Sequence, residues 1–149
     1  MTDVALFLHV LGALLFFSGA AVAGAASEAA RRKTDVREIA TLLGITRIGV
    51  VLVGAGGLLV FACGLWLVHL THTGFGAAWV QAAIALFVVA AALGGVGGRN
   101  PRHARELAQA DGDADDVRRL LDDPWSRMAN YASTALVLAI LALMVWQPT

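Results

Sequence analysis

Four long apolar runs, with the basic residues gathered in two of the stretches around them, constrain this chain more than any other feature. The runs cover residues 4–26, 45–70, 75–97 and 128–146. A hydrocarbon core about 30 Å thick needs roughly 20 helical residues to cross it, so each run is long enough. Lipid offers the backbone no hydrogen bonds, so each run must be helical; four spans are too few to close a barrel, and none alternates as a barrel strand would. The expectation is an all-α polytopic membrane protein, a single four-transmembrane-helix bundle over residues 1–149 with connecting loops at 27–44 and 98–127. Composition agrees: 58% of residues are hydrophobic and 15% charged, against about 25% charged in soluble domains. Zero formal net charge excludes a strongly basic nucleic-acid binder. The one cysteine, Cys63, excludes an internal disulfide framework and the usual structural zinc patterns.

Ala23 and Ala25 give the first run a signal-peptide-like tail. Its start, Met1-Thr2-Asp3-Val4, has no basic n-region, and the apolar stretch exceeds an h-region, so we read it as a retained helix. Arg31, Arg32, Lys33, Arg37 and Arg47 flank the first connection, and Arg99, Arg102, Arg105, Arg118, Arg119 and Arg127 flank the third. These are all eleven basic residues. The positive-inside rule then predicts both termini outside and the basic loops cytoplasmic, in the inner (plasma) membrane. Trp66, Trp79 and Trp146 fall toward the outer interface and Trp125 marks the inner one, as an aromatic belt requires. Asp35 and Glu38 suggest a capping box leading into Ile39, Leu42 and Leu43. Asn100-Pro101 is expected to break the chain after the third span, and Asp123-Pro124 to start the fourth helix with an N-cap and a proline at N1. Asp111, Asp113 and Asp115 are spaced like the start of a calcium loop. Asp116 stands where that loop needs glycine and Asp122 where it needs glutamate, so a solvated turn is expected.

Helix faces in lipid are marked by small and polar residues, because the tails are as apolar as leucine. Such a face joins His9, Gly12, Ala13, Phe16, Gly19, Ala20 and Ala23 in the first helix. The second offers Thr46, Gly49, Val53, Gly56, Val60 and Cys63; the third, Gln81, Ala85, Val88, Ala92 and Gly95; the fourth, Asn130, Ser133, Thr134, Val137 and Met144. His9 lies about five residues inside the outer boundary, roughly 8 Å. Cys63 is about seven residues in, Gln81 about six and Met144 about three, by the same arithmetic. A histidine, a thiol, an amide and a thioether are thus expected in the outer half of the bundle. His69 and His72 form an i, i+3 pair, but His69 projects about 120° away from Cys63, so the pair is a secondary candidate. His103 lies in a basic loop and is expected in solvent.

Several segments resemble a known family. Leu8-His9-Val10-Leu11-Gly12, Gly19, Gly64-Leu65-Trp66-Leu67-Val68-His69-Leu70, Trp79 and Leu143-Met144-Val145-Trp146-Gln147-Pro148 look like the predicted integral membrane proteins of domain-of-unknown-function family 2269. The resemblance spans essentially the whole chain and brings no assigned activity. This chain has Phe61-Ala62-Cys63 where the family usually has a proline before the glycine. The Leu8-His9-Val10 start is also similar to copper-resistance D proteins and membrane protoporphyrinogen oxidases. Those groups imply copper handling and a haem- or porphyrin-binding bundle, respectively.

Three functional classes follow. In the first, His9 anchors a cofactor: haem b, with Met144 as a second axial ligand and Gln81 nearby, or copper held by His9, Cys63 and Met144, with His69 and His72 as further metal candidates. In the second, the chain is a non-enzymatic structural or partner subunit, alone or as a homo-oligomer in the bilayer. In the third it is a small transporter, a reading weakened because no Asp, Glu, Lys or Arg lies deep in a span. No catalytic triad, phosphate loop or carboxylate pair is present, so hydrolysis and phosphoryl transfer rank low.

Overall fold

A computed structural model describes residues 1–72, 76–110 and 112–146. Six helices make up the described chain: α1 (Thr2–Arg31), α2 (Val36–Leu70), α3 (Ala78–Gly97), α4 (Arg99–Gln109), α5 (Ala114–Leu121) and α6 (Pro124–Trp146). Four helical stretches are long and apolar enough to cross a membrane. In the most apolar part of each, only 11–22% of residues are buried by the protein itself. Phe7, Leu14, Leu58, Tyr131 and Val145 stand outward and exposed. A soluble fold would not leave so much apolar surface open, and a bilayer covers it at no cost.

The helices pair as two antiparallel hairpins, α1 with α2 and α3 with α6. The first pair is built on a seven-residue repeat of small side chains. Ala5, Gly12, Gly19 and Ala26 are buried along α1, and Gly49, Gly56 and Cys63 along α2. A strict seven-residue repeat keeps one seam facing the partner through a left-handed supercoil. Gly12 meets Gly56, and Gly19 meets Gly49. The next step of that register sets Ala5 opposite Cys63. A methyl added at Gly56 would lie 2.5 Å from the Phe16 nitrogen, and one added at Gly49 2.6 Å from the Ala23 nitrogen. Backbones this close leave no room for a side chain at Gly49 or Gly56. Ser27 and Thr46 share a 3.3 Å hydroxyl contact at its charged end.

The second pair is joined by polar contacts. Ser133 Oγ donates to the Ala90 carbonyl at 2.8 Å, and Gly97 opens room for the Asn130 amide. The face expected inward on the third helix (Gln81, Ala85, Val88, Ala92 and Gly95) is instead its more exposed side. Val80, Ala83, Ala90 and Gly97 are the buried residues. Alanine and glycine populate both sides of this helix, so small size did not discriminate. The seven-residue step Ala83, Ala90, Gly97 does. Thr134, expected inward on the fourth helix, is exposed and donates to its own Asn130 carbonyl.

The stretches read as connecting loops are largely helical. At about 1.5 Å per residue, the 35 residues of α2 run about 52 Å, well past a hydrocarbon core. Asp35 caps α2 by accepting from the Arg37 amide at 2.9 Å. Glu38 does not close a capping box; it pairs with Lys33 at 3.1 Å. The break after the third span falls at Gly98, and α4 resumes at once with Pro101 inside its first turn. A proline there sacrifices no intrahelical bond. Asp113 caps α5 through the Asp115 amide, so the acidic stretch is a helix start; Asp111 lies outside the described residues, as do Phe75 and the Gln147-Pro148 tail.

Ile39, Leu43, Val117 and Leu121 are the largest fully buried side chains. They form a core with Ala30, Ala104 and Ala108, beyond the charged ends of the spans. Two arginines lock this cap reciprocally. Arg31 Nε donates to the Leu121 carbonyl at 3.0 Å, at the end of α5. Arg118 donates through Nε and a terminal nitrogen to the Lys33 carbonyl, just past the end of α1. Cations placed there satisfy orphan carbonyls and the negative ends of both helix dipoles. Asp123 begins α6, accepting from the Ser126 amide at 2.9 Å and from Asn100 Nδ2 at 2.9 Å. The Ser126 bonds, foremost among several, hold its carboxyl below the usual range.

Candidate functional site

His9 is the intramembrane residue with the most defined surroundings. It sits on α1, one turn before Gly12, where the glycine seam holds α2 close. Its Nδ1 lies 2.9 Å from the Val60 carbonyl of α2. A carbonyl can only accept, so Nδ1 carries the proton, and in the neutral ring Nε2 keeps its lone pair. The ring edge lies over Gly64, where an added methyl would be 3.3 Å from Cε1. Gly64 thus leaves the space that the imidazole occupies. Every buried side-chain nitrogen or oxygen among the described residues has a hydrogen-bond partner. Among the described residues Nε2 makes no hydrogen bond.

The other candidates are distributed differently. Cys63 is buried at 5% exposure, beside Gly64 and within the α1–α2 seam, where its side chain serves the small-residue repeat. Met144 is half-buried on α6, whose packing partner is α3. Gln81 is on the exposed side of α3. His69 is exposed in the last turn of α2, and His72 follows the helix in left-handed backbone at φ 52°. His103 is exposed and contacts its own helix at the Arg99 carbonyl. The structure therefore brings His9 and Cys63 to one interface and leaves Gln81, His69 and His72 outside it. Among the described residues no three His, Cys, Asp or Glu side chains gather into a metal-holding group. Sequence reasoning missed Val60 and Gly64 as the residues that orient His9. Their i+4 spacing on one face of α2 was a signal available for finding them.

Between the two hairpins, Phe61 of α2 stacks on Phe87 of α3, with ring centroids 4.8 Å apart and planes 16° from parallel. Their main connection is through the cap, where α2 packs on α4 and α1 touches α5.

Four apolar spans, glycine-seamed pairing and an amphipathic cap define a small helical integral membrane protein. Residues 3–148 match the family described as predicted integral membrane protein, domain of unknown function 2269, and the chain belongs to that family. No curated protein and no solved structure matches it.

Proposed function

We propose that this membrane protein binds haem b through His9, in the half of the bundle away from the charged cap. The observation that carries the reading is the His9–Val60 hydrogen bond. Ligating histidines almost always donate their other ring N–H to a carbonyl or carboxylate, which fixes the tautomer and raises ligand basicity. Here that donor is Nδ1, and Nε2 is free to ligate. If His9 held a haem here, the group would supply one-electron or small-ligand chemistry, tuned by His9 and the polarity around it. Copper would need His9 joined by soft donors such as Cys63 and Met144. Cys63 faces the helix seam and Met144 belongs to the other hairpin, which favours haem. The charge arrangement supports an inner-membrane placement with both termini outside; reporter fusions at each end test it, and a cytoplasmic terminus would reject it.

A second reading is favoured by the same bond: His9 staples α1 to α2 in a structural or partner subunit. Interhelical bonds of this kind contribute about 0.6–2 kcal/mol. Two substitutions separate the readings. His9→Asn keeps an N–H that can reach Val60 but removes the imidazole; His9→Ala removes both. Under the haem reading, protein purified from haem-supplied cells shows a Soret band that either substitution abolishes. A wild-type protein without the band, or a band that survives in His9→Ala, rejects it. Under the structural reading the only change is a stability loss in His9→Ala that His9→Asn largely restores.

A further inference from the structure

At the charged end of the spans, a groove of about 460 Å³ opens between α2 and α4. Its floor is apolar: Ile48, Val51 and Leu52 of α2. Arg47 of α2 and Arg105 and Gln109 of α4 form its polar rim, with Gly44 leaving the space between. The floor continues into the lipid-facing surface, since Ile48 is 60% and Val51 61% exposed. Among the described residues Arg31, Arg32, Lys33, Arg118 and Arg119 each have a carboxylate partner; Arg37, Arg47, Arg99, Arg102, Arg105 and Arg127 make no ion pair, and of these Arg47 and Arg105 line the groove. Two guanidiniums without counter-charge therefore share one concave site.

The depth of Arg47 identifies the occupant. From Ile48 to Val68, α2 carries no charged residue, so Arg47 stands where hydrocarbon gives way to headgroups. A ligand here must be anionic at the level of Arg47 and Arg105 and apolar one turn deeper, along Val51 and Leu52. Guanidinium forks match phosphate oxygens bidentately, and basic pockets beside membrane helices bind anionic headgroups. A free phosphate would leave the apolar floor bare. We propose that this groove is a binding site for one anionic phospholipid of the adjacent leaflet. Its phosphate sits between Arg47 and Arg105, and an acyl chain lies on Ile48, Val51 and Leu52.

The test uses the full chain in neutral detergent, equilibrated with equal amounts of phosphatidylglycerol and phosphatidylcholine of identical acyl chains. Native mass spectrometry then counts bound lipids. The wild type retains one phosphatidylglycerol in preference to phosphatidylcholine. Arg47→Gln and Arg105→Gln each weaken that preference about 5-fold, and together about 25-fold, the scale of one basic residue near an anionic lipid surface. Arg119→Gln, an exposed control on α5, changes nothing. Ile48→Glu, a lipid-facing substitution that breaks no buried contact, places a carboxylate on the floor and also abolishes the preference, so the test does not depend on the arginine variants folding. A preference that survives the double arginine substitution overturns the proposal, as does an equal loss in Arg119→Gln. Inorganic phosphate that binds alone at millimolar concentration and displaces the lipid identifies a soluble-anion site and overturns it too.

Discussion

Replacing Gly56 by alanine tests the glycine seam most directly. The added methyl would lie 2.5 Å from the Phe16 nitrogen, 2.7 Å from the Gly12 oxygen and 2.9 Å from the Phe16 Cα. All three atoms are backbone, so no rotamer change relieves the clash and the helices must separate. Reaching an ordinary contact near 3.4 Å requires a shift of about 0.5–0.9 Å. Gaps of that size forfeit roughly a quarter to a half of each affected dispersion contact. In lipid no hydrophobic term compensates, because helix association rests on packing and hydrogen bonds. Overpacking of this kind costs about 1–3 kcal/mol, and we place Gly56→Ala near 2 kcal/mol. Gly12, whose added methyl would be 2.9 Å from its nearest neighbour, should cost about half as much. Gly54 has nothing within 4 Å of an added methyl. There alanine gains helix propensity, up to about 0.5–1 kcal/mol, so the sign reverses two residues away. The assay is reversible unfolding in mixed micelles, titrated with a denaturing detergent and followed by far-UV circular dichroism. Gly49→Ala combined with Gly56→Ala should cost less than their sum, because one separation of the helices relieves both. If Gly54→Ala and Gly56→Ala agree within about 0.5 kcal/mol, the ordinary spread of neutral surface changes, the seam does not hold the pair together.

Four other outcomes are expected. Ile39→Ala should destabilise the cap by about 2–5 kcal/mol, with hydrogen exchange rising in α4 and α5 and little changed along residues 5–25. Arg118→Ala should loosen α5 by about 1 kcal/mol, read as faster amide exchange over residues 114–121. Asp123 contributes stability above the ordinary carboxylate pKa and loses it as pH falls through its depressed folded value; Asp123→Asn should therefore lower thermal stability at neutral pH and flatten the acid limb of its pH profile, as a thermal melt series would show. His9→Asn should recover most of the stability lost in His9→Ala under detergent titration while carrying no Soret band.

Fold and site were legible to different depths, for physical reasons. Span number follows from run length alone, because a bilayer imposes one threshold on every helix. The Asp123-Pro124 start of α6 was legible because capping is local chemistry. Helix facing was readable only where small residues occupy one side. On α1 and α2 the seven-residue spacing of Gly12, Gly19, Gly49 and Gly56 marks that side and all four are buried, while Gly24 and Gly54 stand open on other sides. On α3, alanine covers both sides, and the chosen face was the exposed one. The cap escaped because α4 and α5 are short and charged; their apolar residues, among them Ala104, Ala108, Val117 and Leu121, follow a helical spacing that a search for long apolar runs passes over. Residue type and depth singled out His9. Its partners did not follow from residue type, since Val60 acts through its backbone and Gly64 through a missing side chain.

The two halves of the molecule are held by different physics, and this bears on where anything can bind. Inside the bilayer, each hairpin relies on contact between small residues or on hydroxyl and amide bonds, which gives strong pairing within a hairpin. Between hairpins the spans offer the Phe61–Phe87 stack, and aromatic pairs are worth only about 0.5–1.5 kcal/mol beyond their area. Beyond the spans, Ile39, Leu43, Val117 and Leu121 bury ordinary apolar side chains where water makes that burial favourable. The hairpins are therefore tied through the cap at one end and by the chain itself, between α2 and α3, at the other, and are weakly joined along the spans. Opening at the cap must break a buried core and two arginine locks, whereas along the spans it must break the aromatic stack. On the haem reading, a porphyrin reaching His9 from between the hairpins would have to part the spans beside the Phe61–Phe87 stack. A cross-link between α2 and α3 near Phe61 and Phe87 should then block haem uptake while leaving haem already bound in place. Unimpeded uptake in the cross-linked protein would mean that His9 is reached from the lipid-facing side of the α1–α2 pair.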